Sequence, residues 1–202
     1  MKILRKINKG FILTLIVLIG LIVYLVGVEK QREAEKVNII YTMERFIEVT
    51  DKYSVYPENI NNLSKRITAE ERDKYLEEMR NELKKAMIPN EEVVKLQAQA
   101  IENVLNMVNQ EREIKTKTER KIMEITGYEF DGDQVTVEFK TIVENEIKYI
   151  DEQGKEQTRK ETYQTYNDEI ILQKIEEEWK IVYSNLQYMQ NKYYSEDVMI
   201  MY

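Results

Sequence analysis

Residues 11–28, FILTLIVLIGLIVYLVGV, form an apolar run without a single charge. At 1.5 Å per residue a helix of this length spans about 27 Å, close to the hydrocarbon thickness of a bilayer. The run is long for the apolar core of a cleaved leader, and it ends in Leu25-Val26-Gly27-Val28-Glu29, a poor cleavage site. It therefore predicts a retained transmembrane helix. Four cations precede it (Lys2, Arg5, Lys6, Lys9), and mixed charges follow (Glu29, Lys30, Arg32, Glu33). The positive-inside bias puts residues 1–10 in the cytoplasm as a short tail and residues 29–202 outside it.

Beyond the anchor the apolar period is helical. Ile39, Met43, Phe46, Thr50 and Tyr53 recur at four- and three-residue spacing, which predicts an amphipathic helix over 32–53 that continues from the anchor. Residues 55–64 (VYPENINNLS) read as a loop. Thr68-Ala69-Glu70-Glu71 is a capping box opening a helix over 69–87, with Leu76, Met79, Leu83 and Met87 on one face. Pro89-Asn90 separates it from a helix over 91–110. There Val94, Ala98, Ile101, Leu105 and Val108 form a broad apolar stripe, suited to lying across a sheet.

After about Glu113 the period drops to two. Strands are predicted over 117–130, 134–149, 156–174 and 178–184. Asp131-Gly132-Asp133, Asp151 to Gly154 and Glu176-Glu177-Glu178 are the turns between them. Val135, Val137, Phe139 and Val143 share one face of the second strand, while Glu138 points to the other. The expected fold is α+β: an N-terminal transmembrane helix, then three helices packed on a curved four-stranded antiparallel sheet. The tail after residue 185 is apolar enough to dock on this domain.

Charge and composition remove many chemistries. The net charge is −7, and the four cations of residues 1–10 leave −11 on the rest. Nucleic-acid binding needs clustered cations and is not expected. The chain has no Cys and no His. Disulfides, thiol nucleophiles, Ser-His-Asp triads and Cys- or His-ligated zinc sites are excluded. Gly127, Gly132 and Gly154 are the only glycines after residue 28, too few for a glycine-rich phosphate loop. No cofactor or metal is expected, and the acidic turns Asp151-Glu152 and Glu176-Glu177-Glu178 read as solvated.

Two sets of side chains remain. Glu124, Glu138 and Glu144 on strands, with Asp131 and Asp133 in a turn, are the carboxylates weighed for catalysis. Catalysis is the weaker reading, because nothing in the sequence demonstrates the dry pocket it requires. The tyrosines Tyr163, Tyr166, Tyr183, Tyr188, Tyr193 and Tyr194 form a candidate protein interface, since Tyr joins a large apolar body to a polar handle.

Helices followed by a bent antiparallel meander, closed by Glu178-Trp179-Lys180-Ile181, resemble the nuclear-transport-factor-two-like cone over roughly residues 35–185. With a short tail and one membrane helix, the layout is similar to bitopic assembly proteins of type IV secretion and conjugation systems. That resemblance implies a non-catalytic, membrane-anchored scaffold that contacts other envelope proteins and self-associates. A ligand-binding or sensing module is the alternative the cone implies. A small isomerase- or hydrolase-type enzyme is the third.

Overall fold

The computed structural model describes residues 9–108 and 113–186. Three helices precede four strands: α1 (Lys9–Tyr53), α2 (Ala69–Ala86), α3 (Glu91–Val108), β1 (Glu113–Asp131), β2 (Gln134–Ile150), β3 (Glu156–Ile175) and β4 (Glu178–Asn185). The fold is α+β, as the periodicity predicts. β1 begins four residues earlier than the expected 117, because Ile114 and Lys115 pair with Lys148 and Ile147 of the long β2. The last residues of the expected 91–110 helix, and the tail from residue 187, lie outside the described residues.

The chain divides into two compact units, Met1–Tyr41 and Thr42–Tyr202. In the first, α1 carries an apolar segment long enough to cross a bilayer, and the side chains of residues 11–26 are exposed. Bare apolar surface of this extent is what a lipid-facing helix presents.

In the second unit the sheet is an antiparallel meander of order β1-β2-β3-β4, open at both edges. Its inner face is apolar: Val135 and Val137 of β2 pair with Leu172 and Ile170 of β3, and these four, with Phe139 and Val143 of β2, are fully buried. Met43, Phe46 and Ile47 of α1, Met79 and Leu83 of α2, and Ala98, Ile101 and Leu105 of α3 complete this core.

Local chemistry places each helix. Thr68 and Glu71 close the capping box at the start of α2: Thr68 Oγ1 accepts from Glu71 N at 3.2 Å, and Glu71 Oε2 accepts from Thr68 N at 3.0 Å. Asn90 Oδ1 caps α3 at Glu92 N, 3.0 Å away. The Tyr75 hydroxyl donates to Val55 O at 2.6 Å and ties α2 to the end of α1. Past α2, Ile88 N donates to Ile181 O at 2.9 Å, so the backbone beyond α2 covers part of the β4 edge.

The strands are not regular. The β1–β2 register slips between Lys115 and Lys117, between Ile122 and Glu124, and between Ile125 and Gly127. It slips again between Phe139 and Thr141 on the β2–β3 side. Each such bulge bends a strand and strengthens its twist. The β2–β3 bulge also changes which side chains face the core. Two residues of β3, Tyr166 and Asn167, stand opposite the single Lys140. Inward-facing parity therefore shifts by one along β3, from Tyr163 and Thr165 to Asp168, Ile170 and Leu172.

Candidate functional site: an ionic cluster beneath a groove

Among the described residues, four acidic or basic side chains lie inside the domain. Asp51 comes from α1, Lys115 and Arg120 from β1, and Asp168 from β3; all four are buried. Burying a charge is costly unless it is paired and hydrogen-bonded, so their partners decide whether the arrangement holds.

Asp168 is the most saturated. Its Oδ2 accepts from Arg120 Nη1 at 3.1 Å, from Thr141 Oγ1 at 2.8 Å, and from Thr165 Oγ1. Thr141 N donates to Thr165 Oγ1 at 3.2 Å, so β2 and β3 are joined through the same hydroxyl. The β3 bulge makes this possible. Residues three apart in a regular strand face opposite sides, but Thr165 and Asp168 both face inward across the extra residue.

Asp51 faces the other side of Arg120. Its Oδ2 accepts the backbone N–H of Arg120 at 2.6 Å, and its Oδ1 lies 3.8 Å from Arg120 Nε. Burial raises the Asp51 carboxyl to about 6, against the pull of Arg120 and Lys115. Burial also lowers the Lys115 amine to about 8, with Asp51 opposing. Tyr163 is pushed up to about 12, again chiefly by burial.

Above Asp51 the surface opens into a groove of about 650 Å³. One wall is α1, with Glu44, Ile47, Glu48, Asp51 and Lys52; the other is β1 from Thr118 to Ile122. Glu44, Glu48 and Asp51 follow i, i+4, i+7 spacing and so share one helix face. The cations of the lining are engaged. Lys121 pairs with Glu119 at 2.9 Å, Arg120 with Asp168, and Lys52 Nζ lies 4.8 Å from the Tyr53 ring centre.

No family model matches this chain, and no curated protein matches it. Among solved structures, it is similar to the intermembrane space region of the chloroplast protein ARC6, with a TM-score of 0.37 and 10% identity over 76% of this chain and 93% of that one. It is also similar to a conserved protein from Planctomyces limnophilus DSM 3776, with a TM-score of 0.33 and 15% identity over 74% of this chain and 92% of the other.

The residues singled out from sequence are scattered. Glu124, Glu138, Glu144, Asp131 and Asp133 are all exposed on the outer sheet face or in the first hairpin turn. The helices cover the apolar face, so Glu138 points away from the interior. Tyr163 is 8% exposed and belongs to the core beside the ionic cluster, which removes it from an outward-facing interface. Tyr166 and Tyr183 are 61% and 48% exposed. Tyr166 donates to Gln164 on the outer face of β3 at 2.9 Å, and Tyr183 pairs with Ile171 across β3 and β4. Tyr188, Tyr193 and Tyr194 lie outside the described residues. Among the described residues, no group of three or more acidic side chains is placed to hold a metal ion.

Sequence reasoning missed the ionic cluster itself. One signal was available for Asp168: it continues the inward Ile170 and Leu172 alternation one step back. Nothing comparable marked Asp51, which sits beside the apolar stripe of α1 rather than on it.

Proposed function

We propose that this chain is a membrane-anchored scaffold whose folded domain lies outside the cytoplasm and works through protein–protein contacts. The observation that carries the reading is the outer face of the sheet. Tyr166 and Tyr183 stand exposed there, on the side opposite the helices. Tyrosine combines large contact area with little entropy to lose, and it is enriched at interfaces. The orientation rests on the four cations before the apolar segment. The ionic cluster favours scaffold over enzyme, because the Asp168 carboxylate is committed to Arg120, Thr141 and Thr165. Within this reading the resemblance to bitopic proteins of secretion and conjugation systems supplies the class of assembly, and other envelope proteins or further copies of this chain are its partners.

The test is photocrosslinking in intact cells, with benzoylphenylalanine placed at 166, at 183, and at the buried position 163 as control. Discrete adducts from 166 and 183, absent at 163, support the scaffold. An absence of adducts at both exposed positions rejects it. A reporter fused after residue 186 reads the orientation, and a cytoplasmic signal there overturns the topology.

A further inference from the structure

β1 is an edge strand of nineteen residues. An edge of that length presents unpaired N–H and C=O groups, which proteins normally cover, twist away or use. Register is regular from Lys117 to Ile122, so the outward backbone groups alternate: Arg120 N–H points away from β2, and Thr118 and Ile122 point the same way. These are the residues that form one wall of the groove. Asp51 Oδ2 sits on Arg120 N–H where the carbonyl of a neighbouring strand would sit. A helix beside an open strand edge, with a groove between them, is the geometry in which extended peptides add to sheets.

The charge of the groove selects the partner. Glu44 and Glu48 are exposed along the helix wall, while the cations of the lining already have partners. Ile122, half-buried, supplies apolar surface on the strand wall, while Ile47 lines the helix wall from within the core. Five strand residues from Thr118 to Ile122 span about 16 Å, which sets the length of the segment that fits.

We propose that the groove between α1 and β1 receives an extended segment of a partner protein, about five residues long and bearing lysine or arginine side chains, which pairs with the outer edge of β1. Its carbonyls take Thr118, Arg120 and Ile122 N–H, and Asp51 gives up Arg120 to the incoming strand. The basic side chains face Glu44 and Glu48. This rests on the scaffold reading and names the chemistry of one partner.

The experiment is hydrogen exchange on the full chain in uncharged detergent micelles, titrated with an alternating lysine–valine hexapeptide and with its glutamate–valine counterpart. The lysine peptide is expected to slow exchange saturably across residues 117–123; the glutamate peptide is not. Thr118→Pro removes one outward donor on an edge strand and is expected to weaken binding about tenfold. The double variant Glu44→Gln/Glu48→Gln is expected to reduce the preference for the lysine peptide by a similar factor. If Thr118→Pro does not fold, the double variant decides. No protection, equal protection by both peptides, or protection indifferent to these variants overturns the proposal. Crosslinks at 166 and 183 without groove protection sink the groove alone and leave the scaffold standing. Missing crosslinks with groove protection sink the tyrosine face as the contact surface and leave the groove standing.

Discussion

Asp51 and Arg120 stand 69 positions apart in the chain, yet the Asp51 carboxylate accepts the Arg120 backbone N–H at 2.6 Å. The bond ties α1 to the outer edge of the sheet. The guanidinium of the same Arg120 turns inward to Asp168 on β3. One residue thus links the helix layer, the edge strand and the sheet interior.

Removing Arg120 should be severe. Arg120→Met leaves Asp168 buried without its cation and is expected to cost roughly 3–5 kcal/mol. Adding Asp168→Val should recover much of that loss, because an uncharged pair no longer needs compensation. Urea unfolding of the full chain in micelles checks both. A double variant no more stable than Arg120→Met would contradict the ion-pair explanation.

Stability should depend on pH with an unusual sign. Asp51 titrates at 3.8 when unfolded and at about 6 when folded, so the folded state binds the extra proton in that window. Stability is therefore highest at the low end and falls as pH rises from about 4 to 6. The total loss is roughly 3 kcal/mol, at about 1.4 kcal/mol for each pH unit between the two values. Below about pH 4 the trend reverses. Lys65 and the Thr68 cap hold Glu71 down to about 2, and Lys117 and Lys121 do the same for Glu119, so protonating them removes stability. Unfolding midpoints measured from pH 3 to 8 should show the maximum, and Asp51→Asn should flatten the decline above it.

The β3–β4 turn offers a stabilising change. Glu176 and Glu177 both have positive φ, 49° and 70°, in a two-residue loop between Ile175 and Glu178. Two-residue loops of this kind favour Asn-Gly, because L side chains are strained there. Replacing the pair with Glu176→Asn and Glu177→Gly is expected to stabilise by about 1 kcal/mol. A higher unfolding midpoint is the readout, and a lower one would show that the Lys174–Glu177 ion pair at 3.0 Å outweighs the strain.

The tyrosines should separate cleanly. Tyr166→Ser and Tyr183→Ser remove exposed rings and are expected to change stability by less than about 0.5 kcal/mol. Tyr163→Ala, in the core, is expected to cost about 3 kcal/mol or more. Thermal unfolding of the three variants distinguishes surface rings from the core ring.

The sequence by itself determined the element order and its faces. Apolar spacing of three and four placed α1, α2 and α3; alternation placed the strands; Gly132 and Gly154 marked two of the hairpins. These are local properties, set by side-chain period and by backbone freedom at single residues. The apolar helix was equally plain, since eighteen consecutive residues without a charge are long enough to cross a bilayer. Only the tertiary structure decided the site. Asp51, Lys115, Arg120 and Asp168 come together from one helix and two strands, and no short window of sequence contains that meeting. Asp168 and Thr165 face inward together only because one extra residue on β3 shifts the alternation between them. A bulge of this kind is set by how strands pair, not by the residues of one strand. Tyr163 and Tyr166 differ for a plainer reason: alternation along one strand sets them on opposite faces, and only the packing of the helices made the Tyr163 side the core.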